Sequence, residues 1–236
     1  MTETIAIGSL KCELHRKAIK NLHIAVLPPH GRVRVAAPET MRDTAIRAAV
    51  ASRLVWIKKQ QQKFLDQPRQ SHRQMVIGEG HFLWGRSYRL KIVHTEGRAK
   101  VEAGKQYITL FVKADSTQQE RMRLLENFYR RTLKKEIARI LPRWQEKIAA
   151  PSAWGIKRMK TKWGSCNTET RRIWLNSELI KKPHGCLEYI LVHELVHLLE
   201  RHHNKQFQML MDLHLPNWQH TRDELNGLML SEEKWL

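Results

Sequence analysis

Between Tyr189 and Leu199 the chain reads YILVHELVHLL, and the only polar side chains after Tyr189 are His193, Glu194 and His197. A helix that is apolar nearly all round is buried, and an ionisable group inside a protein is costly unless it is paired or bound to something. Three such groups on one buried rod need a common purpose. Side chains four apart share a helix face, so His193 and His197 can present ring nitrogens to a single point. Glu194 projects about 100° round the axis from His193, where a carboxylate reaches a metal-bound water without being a ligand. This is the His-Glu-x-x-His arrangement of a zinc hydrolase.

A third nitrogen is available from His203, six residues past His197, where a chain leaving the helix can turn back. His202 is the rival for that place; the recurrent His-Glu-x-x-His-x5-His spacing of three-histidine zinc peptidases favours His203. Three protein ligands and one open position make a catalytic zinc, whereas four make a structural one. A lone histidine on such a helix reads as a core residue bonded to backbone, but three of them with Glu at the second position read as a metal set. Cysteine does not compete. Cys12, Cys166 and Cys186 are odd in number and far apart, with no C-x-x-C, so neither a disulfide framework nor a zinc ribbon is expected.

A length of 236 residues, 42% of them hydrophobic, allows one sizeable core or two small ones and argues against disorder. No apolar run approaches the ~20 residues that span a bilayer, and the start, MTETIAIGSLKCELHRK, lacks the basic region and apolar block of a signal peptide. A cytoplasmic protein without a membrane partner is therefore expected. The formal net charge is +19, a balance that favours anionic partners such as nucleic acid or a DNA-bound complex.

Along the chain, residues 4 to 37 alternate as short strands: Leu10, Cys12 and Leu14, then Leu22, Ile24 and Val26, then Val33 and Val35, with a turn at Pro28-Pro29-His30-Gly31. A small antiparallel sheet is expected. Thr40 with Asp43 resembles a capping box, opening one helix from about Met41 to Leu65 on Ile46, Val50, Leu54, Ile57 and Phe64, followed by a polar loop at Gln67–Gln74. Strands return over 81–93 and 100–112. Thr117 and Glu120 give a second capping signal for a long helix with a Met122–Trp144 stripe, which Pro142 should kink or break near its end. Its other face is rich in arginine and lysine, the ordinary mark of a solvated surface. A hairpin is expected from Lys157–Cys166 with Arg171–Asn176, putting Arg158, Lys160 and Lys162 on one strand face, and Pro183 suits the first turn of the next helix.

Several strings in this order carry a family likeness: KTKWGSC (160–166), IWLN (173–176), Pro183, YILVHELVH (189–197) and HNKQF (203–207), with HFLWGRSYRLKI (81–92) adding a weaker match. Together they resemble the YgjP-like zinc metallopeptidases, relatives of the SprT-like proteases. The resemblance implies Zn2+ held by His193, His197 and His203, with Glu194 as general base and a protein or peptide as substrate. It also implies an α+β fold: a zincin-like catalytic domain over 116–236, its HExxH helix packed by a β-hairpin, preceded by a β-rich part with one helix over 1–115. Trp163, Gly164 and Ser165 would lie close to the active-site helix. A tight hairpin in which Trp163 packs under the helix and Gly164 permits close approach competes there with a substrate-binding edge strand. His202 stands where that family would carry a small polar residue, and Glu200 stands where metzincins have Gly, so the chain is not a metzincin. The rival from another class is a basic nucleic-acid-binding module with a structural zinc, which needs a fourth protein ligand.

Overall fold

Alternating burial builds the first sheet from β1 (Thr2–Ile7), β2 (Leu10–Lys17), β3 (His23–Leu27) and β4 (Arg32–Pro38). The computed structural model describes residues 2–27, 31–66, 73–159 and 161–227; the expected turn at Pro28–His30, the side chain of Phe64, most of the polar loop at 67–74, and Lys160 lie outside them. Strand order is β1-β2-β4-β3. The sheet is mixed rather than antiparallel, because β4 returns between β2 and β3 and so runs parallel to β2. Ile5, Cys12, Leu14, Val33 and Val35 face Ile46, Val50 and Ile57 of two helices, α1 (Asp43–Ala51) and α2 (Leu54–Asp66). The single helix expected over 41–65 is thus interrupted. The Ser52 hydroxyl donates to the Ala49 carbonyl at 2.9 Å, a local bond that competes with helix continuation. The capping box at Thr40 is not formed either: the residue before α1 is Arg42, with no side-chain cap, and the Asp43 carboxylate is held by the Arg16 guanidinium.

The chain divides at residue 70, into Met1–Gln70 and Ser71–Ser231, not at 115. The reason is burial: strands expected to belong with the N-terminal part close the same core as the histidine-bearing helix. β5 (Gly80–Leu83), β6 (Arg86–His94), β7 (Lys100–Ala103) and β8 (Tyr107–Val112) form a sheet of order β5-β6-β8-β7. Its Leu90, Ile108 and Leu110 share a cluster with Leu133 and Ile137 of α3 (Gln118–Lys147) and with Leu187, Leu191 and Leu195 of α4 (His184–Val196). Fully burying each such side chain stabilises by about 1.5–3 kcal/mol.

Thr117 and Glu120 make the anticipated reciprocal capping box at the start of α3. Pro142 does not end the helix, which continues to Lys147. Leu141 and Trp144 on either side of it are buried, and that packing holds the last turn in place although Pro142 lacks an amide donor.

The β5–β6 hairpin turns on Trp84 and Gly85, with φ of 50° and 78°, the left-handed pair a two-residue hairpin requires. The Trp84 N–H donates to the Ile180 carbonyl at 2.8 Å, and its ring stacks on His184 at 4.0 Å. This hairpin therefore anchors the entry to α4, which Pro183 immediately precedes.

A third sheet, of order β10-β11-β9, comprises β9 (Ala153–Lys157), β10 (Gly164–Asn167) and β11 (Arg172–Asn176). The hairpin β10–β11 is as expected in its closing turn, where Asn167 Oδ1 accepts from the Thr170 N–H at 2.9 Å. The basic strand row is not formed. Arg158 and Lys162 lie in the connection from β9 to β10, folded off the sheet by buried Asn176, whose amide donates to the carbonyls of Met159 at 2.9 Å and Lys162 at 2.8 Å.

Candidate active site

α4 ends at Val196, leaving His197 as its C-cap residue. The chain turns there, with the Glu200 N–H donating back to the Val196 carbonyl at 2.9 Å. Asn204 then caps the next helix, α5 (Lys205–His214), accepting from the Phe207 N–H at 3.0 Å. Between these two local devices His203 is swung back over α4. One nitrogen from each of His193, His197 and His203 lies within 4.8 Å of the others, and the Nε2 atoms of His193 and His203 are 3.0 Å apart. His202 lies outside this cluster; it is exposed, and its N–H donates to Glu200 Oε1 at 3.0 Å.

Phe207 completes the arrangement. Its ring centroid is 4.9, 4.8 and 4.7 Å from those of His193, His197 and His203, so one buried aromatic supports all three imidazoles. Sequence reasoning did not single it out, because an isolated Phe reads as ordinary core; the signal available was its place at the end of the HNKQF string.

The three rings suit a metal ion. The His197 Nδ1 faces the Glu200 carbonyl at 3.1 Å, which fixes that nitrogen as the donor and leaves Nε2 as a lone pair. The His193 Nδ1 is buried with no hydrogen-bond partner among the described residues, an environment hostile to a charged imidazolium. Burial, and then His197 and His203, push the His193 pKa down to about 3. Rings converging to this degree could hold a metal ion, for which zinc–nitrogen bonds run about 2.0–2.1 Å.

Glu194 is buried, 4% exposed, and burial pushes its carboxyl up to about 8, with Lys162 opposing. It stands against β10: a Cβ built on Gly164 would lie 2.7 Å from Glu194 Cγ and 2.8 Å from Cδ. The carboxyl group occupies the space a side chain there would fill.

A model of the YgjP-like metallopeptidase domain matches residues 20–228. The chain belongs to the YgjP-like metallopeptidase family. Membership implies a metal ion, and the histidine cluster is where the described residues can hold one. Among solved structures, the chain is similar to the metallopeptidase zymogen of Pyrococcus abyssi abylysin (18% identity over 40% of this chain and 99% of that one, TM-score 0.35). It is also similar to the zymogen of Methanocaldococcus jannaschii jannalysin (25% identity over 39% and 90%, TM-score 0.32). A comparison with curated proteins gave no match.

In this YgjP-like chain a cleft of about 630 Å3 runs along the site, lined by His193, Glu194, His197 and His203 on one side and by Trp163, Gly164, Ser165 and Cys166 on the other. Lys162, expected on a strand face, and Arg201, which sequence reasoning left unassigned, line it too. Trp163 also packs on the core, so packing and cleft lining are both roles of the same stretch. Burial, and then Glu194, push the Cys166 thiol up to about 11, which favours the thiol over the nucleophilic thiolate. His184, His214 and His220 do not line the cleft. No helix among the described residues is long and apolar enough to cross a membrane.

Proposed function

We propose that the chain is a zinc-dependent endopeptidase of the HExxH type, acting on protein or peptide substrates in the cytoplasm. The observation that carries this reading is the pairing of three convergent imidazoles with a non-ligating carboxyl, Glu194, at an open cleft. Zinc held by His193, His197 and His203 would supply Lewis-acid polarisation of water and of the substrate carbonyl. Glu194 accepts the proton of the attacking water and returns it to the leaving amide nitrogen. Burial favours its protonated form, whereas a divalent cation beside it favours the carboxylate; the two influences together poise it for both halves of the transfer.

The substrate's place follows from the sheet. β10 is an edge strand, bonded to β11 on one side only among the described residues, and residues 164–167 line the cleft. An extended peptide added along that edge would be held in register by Gly164–Asn167, with Trp163 and Ser165 beside it. The structural-zinc alternative needs a fourth ligand, and the cluster among the described residues contains three. The net charge of +19 supports substrates or partners associated with nucleic acid.

The test is Glu194→Gln. This variant is expected to retain its metal and lose about 10²- to 10⁴-fold in hydrolysis of a denatured protein, the range spanned by general acid–base catalysis. Cleavage at the wild-type rate with metal in place would overturn the assignment.

A further inference from the structure

The two helices of the N-terminal unit cover one face of its sheet and leave the other open. Register places Lys11, Glu13, His15 and Lys17 of β2 on that open face beside Arg32 and Arg34 of β4. Glu13, the one acid there among the described residues, is shared between Arg32 at 3.0 Å and Arg34 at 3.6 Å. Two guanidiniums against one carboxylate, with two lysines besides, leave the face strongly cationic. Where Gly8, Ser9 and Gly31 meet Leu54, Lys58 and Gln61 of α2, a groove of about 480 Å3 continues it through Lys11 and Arg32. The charged residues lining that groove are Lys11, Arg32 and Lys58, with Ser9 beside them and no acid.

We propose that this face and its groove form a docking surface for the sugar–phosphate backbone of nucleic acid. Charge complementarity selects an anionic occupant, and side-chain type selects among anions. Leu27 is the one large apolar side chain on the described strand face, and the apolar residues lining the groove, Ile7, Leu10, Val33 and Leu54, are buried or half-buried, so the described residues there offer no fully exposed apolar anchor of the kind that carries protein–protein affinity or wedges into a lipid bilayer. Its rings among the described residues are the imidazoles of His15 and His23, and no Phe, Tyr or Trp among them offers a larger platform on which a base could stack. What it does have is Arg32 and Arg34 at alternate positions of β4, about 6.7 Å apart, close to the rise of two nucleotides at about 3.4 Å each along one strand, with Lys11 and Lys17 of β2 on the same face. Binding is therefore by phosphate contacts and independent of base sequence. The proposal does not rest on the peptidase reading, since none of these residues belongs to the histidine cleft.

The test measures fluorescence anisotropy of a labelled duplex DNA of arbitrary sequence with the full chain over a series of salt concentrations. The probe is titrated with wild type and with a Lys11→Gln, Lys17→Gln, Lys58→Gln variant. The variant is expected to bind roughly tenfold or more weakly, with a log–log salt slope shallower by about 2.7, or about 0.9 per lost contact. Its melting temperature and hydrolytic activity should be unchanged. Equal affinity and slope in the two proteins would overturn the proposal. So would loss of binding on Arg130→Gln, Arg131→Gln, which neutralises the exposed face of α3 instead, or binding to phosphatidylserine vesicles or an acidic peptide with none to the duplex. Glu194→Gln should bind DNA as wild type does, which separates failure of this proposal from failure of the peptidase reading.

Discussion

Replacing Gly164 with Ala adds one methyl group at the point where β10 meets α4. Gly164 is not among the residues with positive φ, so the backbone tolerates the change and the effect is steric. The new Cβ would stand 2.7 Å from Glu194 Cγ and 2.8 Å from Cδ, whereas carbon atoms prefer about 3.5–4.0 Å. The carboxyl group must retreat by about 1 Å. Its side chain can rotate to do so, so the stability loss falls at the low end of the overpacking range, about 1 kcal/mol, or about 2–4 °C in melting temperature for a unit of this size. Displacing a catalytic group by about 1 Å costs on the order of 100-fold in rate. Gly164→Ala should therefore lose about two orders of magnitude in kcat for peptide hydrolysis while keeping its metal and nearly all of its stability. The checks are initial rates on a fluorogenic peptide, bound metal per chain, and a thermal melt. Full activity in a folded, metal-loaded Gly164→Ala protein would refute the claim that this glycine makes room for the proton-transferring carboxylate.

Two further outcomes are expected. His203→Ala should lose its metal on dialysis against a weak chelator and His202→Ala should keep it, because the His203 ring alone of the two meets His193; metal analysis after dialysis ranks them. His81 is 5% exposed, and burial, reinforced by Arg73 and opposed by Glu79, pushes its pKa down to about 4. Below the unfolded-state value near 6.5 the unfolded chain binds the extra proton, so this contribution to stability is complete above about pH 6.5 and is lost as pH falls toward 4. His81→Gln should flatten the dependence of unfolding free energy on pH across that window by up to about 1.4 kcal/mol per pH unit, measured by denaturant melts; an unchanged slope would mean that His81 is protonated in the fold.

The histidine cluster was legible because its parts are close in sequence. His193, Glu194 and His197 sit on one helix, where spacing alone sets direction, and His203 follows after a short turn that Asn204 closes. The long stripe of α3 and its capping box were legible for the same reason. What depended on distant neighbours was not. The parallel pairing of β2 with β4 follows from where β3 lies, and the break after Ala51 follows from one serine hydroxyl. The division at residue 70 depends on which sheet Leu133 and Ile137 bury, and no periodicity in either segment reports that. Gly164 was noticed as a site of close approach, but only the fold shows that the approaching group is the Glu194 carboxyl. Phe207 went unnoticed because its part in the site is contact with three rings, not chemistry of its own.

Everything functional depends on three rings gripping one ion with a place left open, and X-ray absorption at the zinc edge of protein loaded with one equivalent measures that directly. A single zinc with three imidazole nitrogens at about 2.0–2.1 Å and one light-atom ligand exchangeable with solvent, lost when His193 and His197 are replaced by Ala, is the predicted result. A zinc carrying a sulfur or a fourth protein nitrogen, or bound equally well without those two histidines, would contradict it.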